Sequence, residues 1–166
     1  MRARRVIFAV GPVAAAAALG GLGARHAPQT YRRLRKPRWA PPAAAFGPVW
    51  SALYVGIGAA GWRLFGSASR RTRLLHLTQL TLNAAWPVAF FGVRDKRASL
   101  MIIALLDGAL TAEILTLQGE DKIAAYLLVP YLGWSAFATA LNAAVSDPGE
   151  HGQVPVRGPR GRSPAS

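Results

Sequence analysis

The residues equipped for chemistry in this chain sit inside apolar sequence. Asp107 lies near the middle of the run from Ala98 to Leu117. At the centre of a bilayer a carboxylate costs at least ~2.5 kcal/mol unless it faces protein or water, which makes Asp107 a candidate site residue. The alternative is a structural carboxylate satisfied by neighbouring hydroxyls. Glu113 projects about 240° around a helix from Asp107, so the two are not an acid–base pair. Glu113 is expected to reach the interface at the short connection "QGEDK". His26, His76 and His151 make no metal spacing with one another and assemble no catalytic triad. The chain has no cysteine, which excludes disulfides, thiolate nucleophiles and cysteine-ligated metals.

The stretch "LNAAWPVAFFG" holds a second polar candidate, Asn83. Pro87 has no N–H to give the Asn83 carbonyl four residues back, so an amide side chain and a freed carbonyl share one place. Asn83 also fits the role of interhelical glue. In "FGPVWSALY", Phe46, Trp50 and Tyr54 follow at i, i+4 and i+8 and make an aromatic strip along one helix face. Pro41 and Pro42 suit a helix entry, whereas Pro48 is expected deeper, as a bend. In "LLVPYLGWSAFATALN", Pro130 frees the Tyr126 carbonyl, and Tyr131, Trp134, Ala138 and Asn142 share a face. The small Ala138 would leave space beside Trp134. Trp39 and Trp62, at the ends of apolar runs, read equally as interfacial anchors. Trp50 and Trp134 read as site residues because each aligns with further aromatic or polar groups.

Five apolar runs must position these residues: Val6 to Ala24, Ala43 to Gly66, Leu74 to Gly92, Ala98 to Leu117 and Ile123 to Val145. Each is near the ~20 residues that span a hydrocarbon core. The expected fold class is all-α, an integral membrane bundle of five transmembrane helices over residues 1–145. A soluble bundle would carry charged helix faces, and between Ala43 and Leu64 the only ionisable side chains are Tyr54 and Arg63. The length of the first run favours a retained helix over a cleaved signal. Residues 146–166, rich in Pro, Gly and Arg, form an expected disordered basic tail. The net charge of +13 sits in caps and connections, which fits membrane topology and not nucleic acid. If the spans alternate, twelve of the 20 Lys and Arg fall on the side of the first long loop, which favours an outer N-terminus, although the N-terminal arginines count the other way. The cluster Gly56, Gly58, Ala60 and Gly61 reads as close helix packing, since a phosphate loop needs a preceding strand.

Taken in order, "KPRWAPPAAAFGPVWSALY", "LNAAWPVAFFG" and "LLVPYLGWSAFATALN" resemble the TspO/MBR family, the tryptophan-rich sensory proteins and translocator or peripheral benzodiazepine receptor proteins. The resemblance covers about Val6 to Val145. It implies a five-helix bundle, usually a homodimer in the lipid bilayer, with a pocket open toward the first long loop. The implied ligand is a porphyrin such as protoporphyrin IX or a related hydrophobic small molecule, with no further cofactor and no metal. The implied pocket residues are Trp39, Phe46, Trp50, Tyr54, Asn83, Phe90, Asp107, Trp134 and Ala138. A tetrapyrrole suits such walls, because its ring can stack on indoles while its propionates reach the basic loop from Arg25 to Arg38. The implied roles are sensor or carrier. An alternative is light- and oxygen-dependent porphyrin breakdown, with Trp50 and Trp134 as the candidate reactive groups. Asn142 is followed by "AAVSD", without the Tyr and basic residue of the animal sterol-recognition pattern, so sterol is not implied. The preference for Arg over Lys and the abundance of Ala and Gly point to a bacterial membrane.

Overall fold

The computed structural model describes residues 2–145, and the tail expected from residue 146 lies outside the described residues. Six helices follow one another: α1 (Arg2–Gly23), α2 (Ala27–Arg33), α3 (Phe46–Ser67), α4 (Arg70–Pro87), α5 (Lys96–Glu120) and α6 (Lys122–Ala144). A 3-10 turn, Ala43–Ala45, leads into α3, and a π-helical segment, Val88–Val93, prolongs α4.

Local chemistry sets the ends of these elements. The short α2 begins on Ala27 and carries Pro28 in its first turn, where the missing N–H would have had no intrahelical acceptor. At its other end, Lys36 Nζ donates to the carbonyls of Tyr31 at 2.6 Å and Leu34 at 2.9 Å, which closes the loop back on the helix. Because α3 starts at Phe46, Pro48 falls in its first turn and interrupts no hydrogen bond, so the bend expected there is absent. Ser69 caps α4 through Thr72 N, Asp95 caps α5 through Ala98 N, and Asp121 caps α6 through Ile123 N and Ala124 N. Beyond Pro87 the chain widens into the π-helical segment, which ends on Arg94 in the left-handed region, at φ 60°.

Each of the five long helices packs mainly on two others, in the order α1, α3, α6, α5, α4 and back to α1. The shared core includes Ile57, Leu64, Leu110, Leu117, Leu128 and Tyr131, all fully buried. Polar side chains turn inward and meet across helices, as in Asn83–Tyr131, Ser99–Asn142 and His76–Glu113. Large apolar residues face outward, with Val55 74%, Leu115 67% and Met101 65% exposed. That inversion suits a lipid surround.

Four of the described helices are long and apolar enough to cross a membrane: Arg5–Gly23, Ala43–Gly66, Lys96–Glu120 and Lys122–Ala144. The expected third span is divided between α4 and the π-helical segment, and its inward face carries His76, Gln79 and Asn83, all buried. Those polar groups, with the arginines of its first turn, lower the mean hydropathy of α4. Glu113 does not reach the interface. It is fully buried, with Oε1 2.7 Å from Nδ1 of the equally buried His76. The helix continues to Glu120, so the interface lies two turns farther on, and Glu113 faces α4.

Candidate functional site

A cleft of about 320 Å³ opens between α1, α2, α3 and the end of α4. Its walls are aromatic: Phe46, Trp50 and Tyr54 from α3, Tyr31 from α2, Trp86 from α4 and Phe91 from the π-helical segment. The strip expected from the i, i+4, i+8 spacing therefore faces one cavity. On the α1 side the lining is Ala17, Gly20 and Gly21. A Cβ at Gly20 would stand in ordinary contact, 3.7 Å from Pro87 Cγ and 3.8 Å from the Tyr54 hydroxyl.

Asn83 forms the polar floor. Its Oδ1 accepts from the Tyr54 hydroxyl at 3.0 Å, and its Nδ2 donates to Tyr131 Oη at 2.8 Å. Trp50 rests against both tyrosines, with ring centroids 5.5 Å from Tyr54 and 6.0 Å from Tyr131. Trp86 stacks on Phe90 at 5.5 Å, and its Nε1 is buried without a hydrogen-bond partner. Tyr31 roofs the cleft. Its hydroxyl donates to the Pro41 carbonyl at 2.8 Å, its ring meets Phe46 edge-on, and burial pushes its phenol pKa above 10.0, which keeps it a neutral donor. Among the described residues no Asp, Glu, His or Lys lines the cleft. Such a site can stack, fill and donate hydrogen bonds; it offers no acid–base couple.

Of the nine residues expected at the site, Phe46, Trp50, Tyr54 and Asn83 line this cleft together. Trp134 stands behind Phe46, ring centroids 5.7 Å apart, and a relay of rings continues through Phe137 to Trp39 at the loop surface. Phe90 supports Trp86 from behind and lines a different cleft. Ala138 is packed in the bundle core. Asp107 accepts from the Thr139 hydroxyl at 2.7 Å through Oδ2 across α5 and α6, while its Oδ1 is buried without a hydrogen-bond partner. Sequence reasoning did not single out Trp86, Tyr31, Phe91 or Gly20. For Trp86 a signal existed, since it lies at i+3 from Asn83 and shares its helix face.

Residues 8–146 match the sequence profile of the TspO/MBR family. The chain is 39% identical to the translocator protein of Homo sapiens over 121 residues, 69% of this chain and 72% of that protein. It is 35% identical to the tryptophan-rich protein TspO of Archaeoglobus fulgidus over 147 residues, 84% of this chain and 95% of the relative. To the protein CrtK of Rhodobacter capsulatus it is 33% identical over 152 residues, 87% and 94% of the two chains. An inward-facing polar network, a lipid-facing exterior and this match over nearly the whole chain lead to one assignment: the protein is a multi-pass membrane protein that belongs to the TspO/MBR family.

Proposed function

We propose that the cleft binds a flat, hydrophobic, carboxylate-bearing ring of the tetrapyrrole class, such as protoporphyrin IX, and that the protein acts as a membrane sensor or carrier for it. The observation that carries this reading is the convergence of the rings of Tyr31, Phe46, Trp50, Tyr54, Trp86 and Phe91 on one cleft, with the Asn83 amide at its floor. The rings offer stacking faces, and Arg25 and Arg32 flank the α2 residues that line the cleft, where they can pair with propionates. At about 320 Å³ the cleft lies at the lower end of ligand pockets, which run from roughly 300 Å³ upward. Entry of a macrocycle therefore needs α2 to lift. A helix of seven residues has little stability of its own, so its position rests on its tertiary contacts.

The reading includes five crossings. The 18 residues of α4 and six of the π-helical segment together reach roughly 35 Å, more than the ~30 Å of a hydrocarbon core. It also includes a homodimer in a bacterial membrane as the working assembly.

The test is a titration of the detergent-purified protein with protoporphyrin IX, read by tryptophan quenching. A Cβ at Gly21 meets nothing within 4 Å, and Gly21 lines the cleft, so Gly21→Leu adds bulk at the cleft wall from an uncrowded position. It should weaken binding about tenfold or more, which corresponds to roughly 1.4 kcal/mol. Gly11→Leu, equally open but away from the cleft, should bind as wild type. Equal affinities in all three proteins would place the ligand elsewhere.

A further inference from the structure

The helix α2 presents a second face to a second cleft. Ala27, Pro28 and Tyr31 line the aromatic cleft, whereas Thr30 and Arg33, with Leu34 just beyond the helix, line a separate cavity of about 300 Å³. Its other walls are Phe90, Arg94, Lys96 and Val145. Three cations thus converge from three segments: Arg33 from α2, Arg94 from the end of the π-helical segment and Lys96 from the start of α5. Among the described residues no acidic side chain lines the cavity. Among the described residues the ion pairs are Arg63–Asp121 and His76–Glu113, and neither involves these three side chains. Asp95 stands between two of them in sequence, but its carboxylate caps α5, accepting from Ala98 N at 2.9 Å.

Two further features point to an occupant. Thr30 is only 8% exposed, and its Oγ1 has no hydrogen-bond partner. Arg94 holds φ 60° and ψ 31°, a conformation that costs a non-glycine residue and that the fold nonetheless maintains. Converging like charges repel one another, and a multivalent oxyanion turns that repulsion into attraction. Guanidinium groups recognise phosphate oxygens in pairs, Lys96 adds a point charge, and the Thr30 hydroxyl supplies a neutral donor. The remaining lining, Leu34, Phe90 and Val145, is apolar and borders the buried Leu141. We propose that this cleft binds a phosphate-type anion carrying an apolar tail, either a phospholipid of the surrounding bilayer or a soluble phosphate ester. The proposal does not depend on the tetrapyrrole reading, because none of its three cations lines the aromatic cleft.

The experiment uses the full chain in two settings. In nanodiscs of phosphatidylcholine with or without phosphatidylglycerol, native mass spectrometry reads the lipid that stays bound. In detergent, thermal unfolding reads the response to inorganic phosphate and to a short alkyl phosphate. Wild type should retain phosphatidylglycerol over phosphatidylcholine by about tenfold, or be stabilised by alkyl phosphate. Retention from nanodiscs alone assigns the site to a lipid headgroup, and a response in detergent assigns it to a soluble ester. Arg33→Gln combined with Lys96→Gln should reduce either response about tenfold. Arg94→Gly removes a cation while releasing the left-handed strain, so it should lose the response and unfold no earlier than wild type. That variant decides if the double variant fails to fold. Arg70→Gln, at the opposite end of α4, should behave as wild type. Equal retention of both lipids with no response to either phosphate would overturn the proposal. So would an undiminished response in Arg94→Gly. Protoporphyrin quenching should be the same in Arg94→Gly, because Arg94 belongs neither to the aromatic cleft nor to the loop from Arg25 to Arg38, so the two sites succeed or fail separately.

Discussion

Replacing Tyr131 by Phe removes one oxygen from a fully buried place and tests whether the floor of the aromatic cleft is a connected unit. In the native chain Asn83 accepts from Tyr54 and donates to Tyr131, and Asn83 itself is 3% exposed. Without the Tyr131 hydroxyl, the Asn83 N–H that pointed to it has no acceptor in reach. The loss of a net hydrogen bond, about 0.5–1.5 kcal/mol, gives way to the larger cost of an unsatisfied buried donor, about 1–3 kcal/mol. Tyr54→Phe removes a bond of similar length, 3.0 Å against 2.8 Å, but Tyr54 lines the cleft. The freed Asn83 oxygen then lies beside space that water or ligand can fill, so the expected loss is under about 1 kcal/mol. Thermal unfolding in detergent should rank wild type above Tyr54→Phe, and Tyr54→Phe above Tyr131→Phe. In the double-mutant cycle of Tyr131→Phe with Asn83→Leu, the two losses should be well short of additive, because an aliphatic side chain in place of Asn83 leaves no donor to orphan. Additive losses, or a Tyr54→Phe protein less stable than Tyr131→Phe, would show that the three residues do not form one network.

The remaining predictions concern helix contact, pH and topology. A Cβ at Gly23 would stand 2.8 Å from Val88 N and 2.7 Å from Val88 Cγ2, so Gly23→Ala must push α1 off the π-helical segment; it should lower stability by about 1–3 kcal/mol in thermal unfolding, while Gly21→Ala should be close to neutral. Burial raises the Asp121 carboxyl pKa, but the Ala124 amide and the Arg63 guanidinium outweigh it and hold the group below 3.8. Its contribution is therefore complete above that unfolded value and lost as pH falls through the lower folded one, so acid unfolding should begin at higher pH in Asp121→Asn than in wild type. Single cysteines at Arg32 and Lys96 should be labelled from one side of intact vesicles and one at Arg70 from the other; labelling of Lys96→Cys from the same side as Arg70→Cys would remove α4 as a crossing.

How far the sequence spoke depended on the range of the interaction. Phe46, Trp50 and Tyr54 were legible as one wall because helical periodicity alone fixes their common face, and that face does meet a cavity. The caps Ser69, Asp95 and Asp121 went unread, although each acts within three residues of itself, and α4 and α5 accordingly begin earlier than the apolar runs from Leu74 and Ala98. Pro48 misled for a related reason. Whether a proline bends a helix depends on where the helix begins, and the 3-10 turn at Ala43–Ala45 moved that start to within two residues of it. Glu113 could not be placed from its own neighbourhood, because its partner His76 lies 37 residues away on another helix. The same holds for Asp107, whose hydroxyl partner Thr139 belongs to α6.

The order of the helices around the bundle explains which residues could share a site. With α3 between α1 and α6, and α4 between α1 and α5, the faces of α3 and α4 that look toward α1 converge on one cleft, and the faces that look toward α5 and α6 enter the core. Trp50, Tyr54, Asn83 and Trp86 fall in the first group. Asp107, on α5, and Ala138, on α6, belong to the helices across the ring from α1, and their contacts run between those two helices or into the core. Trp134 meets the cleft lining through the ring of Phe46. Aromatic residues in this chain therefore fall into two groups, since rings on α3, α4 and the π-helical segment line the cleft, while Trp134, Phe137 and Trp39 stand in contact with one another behind that wall.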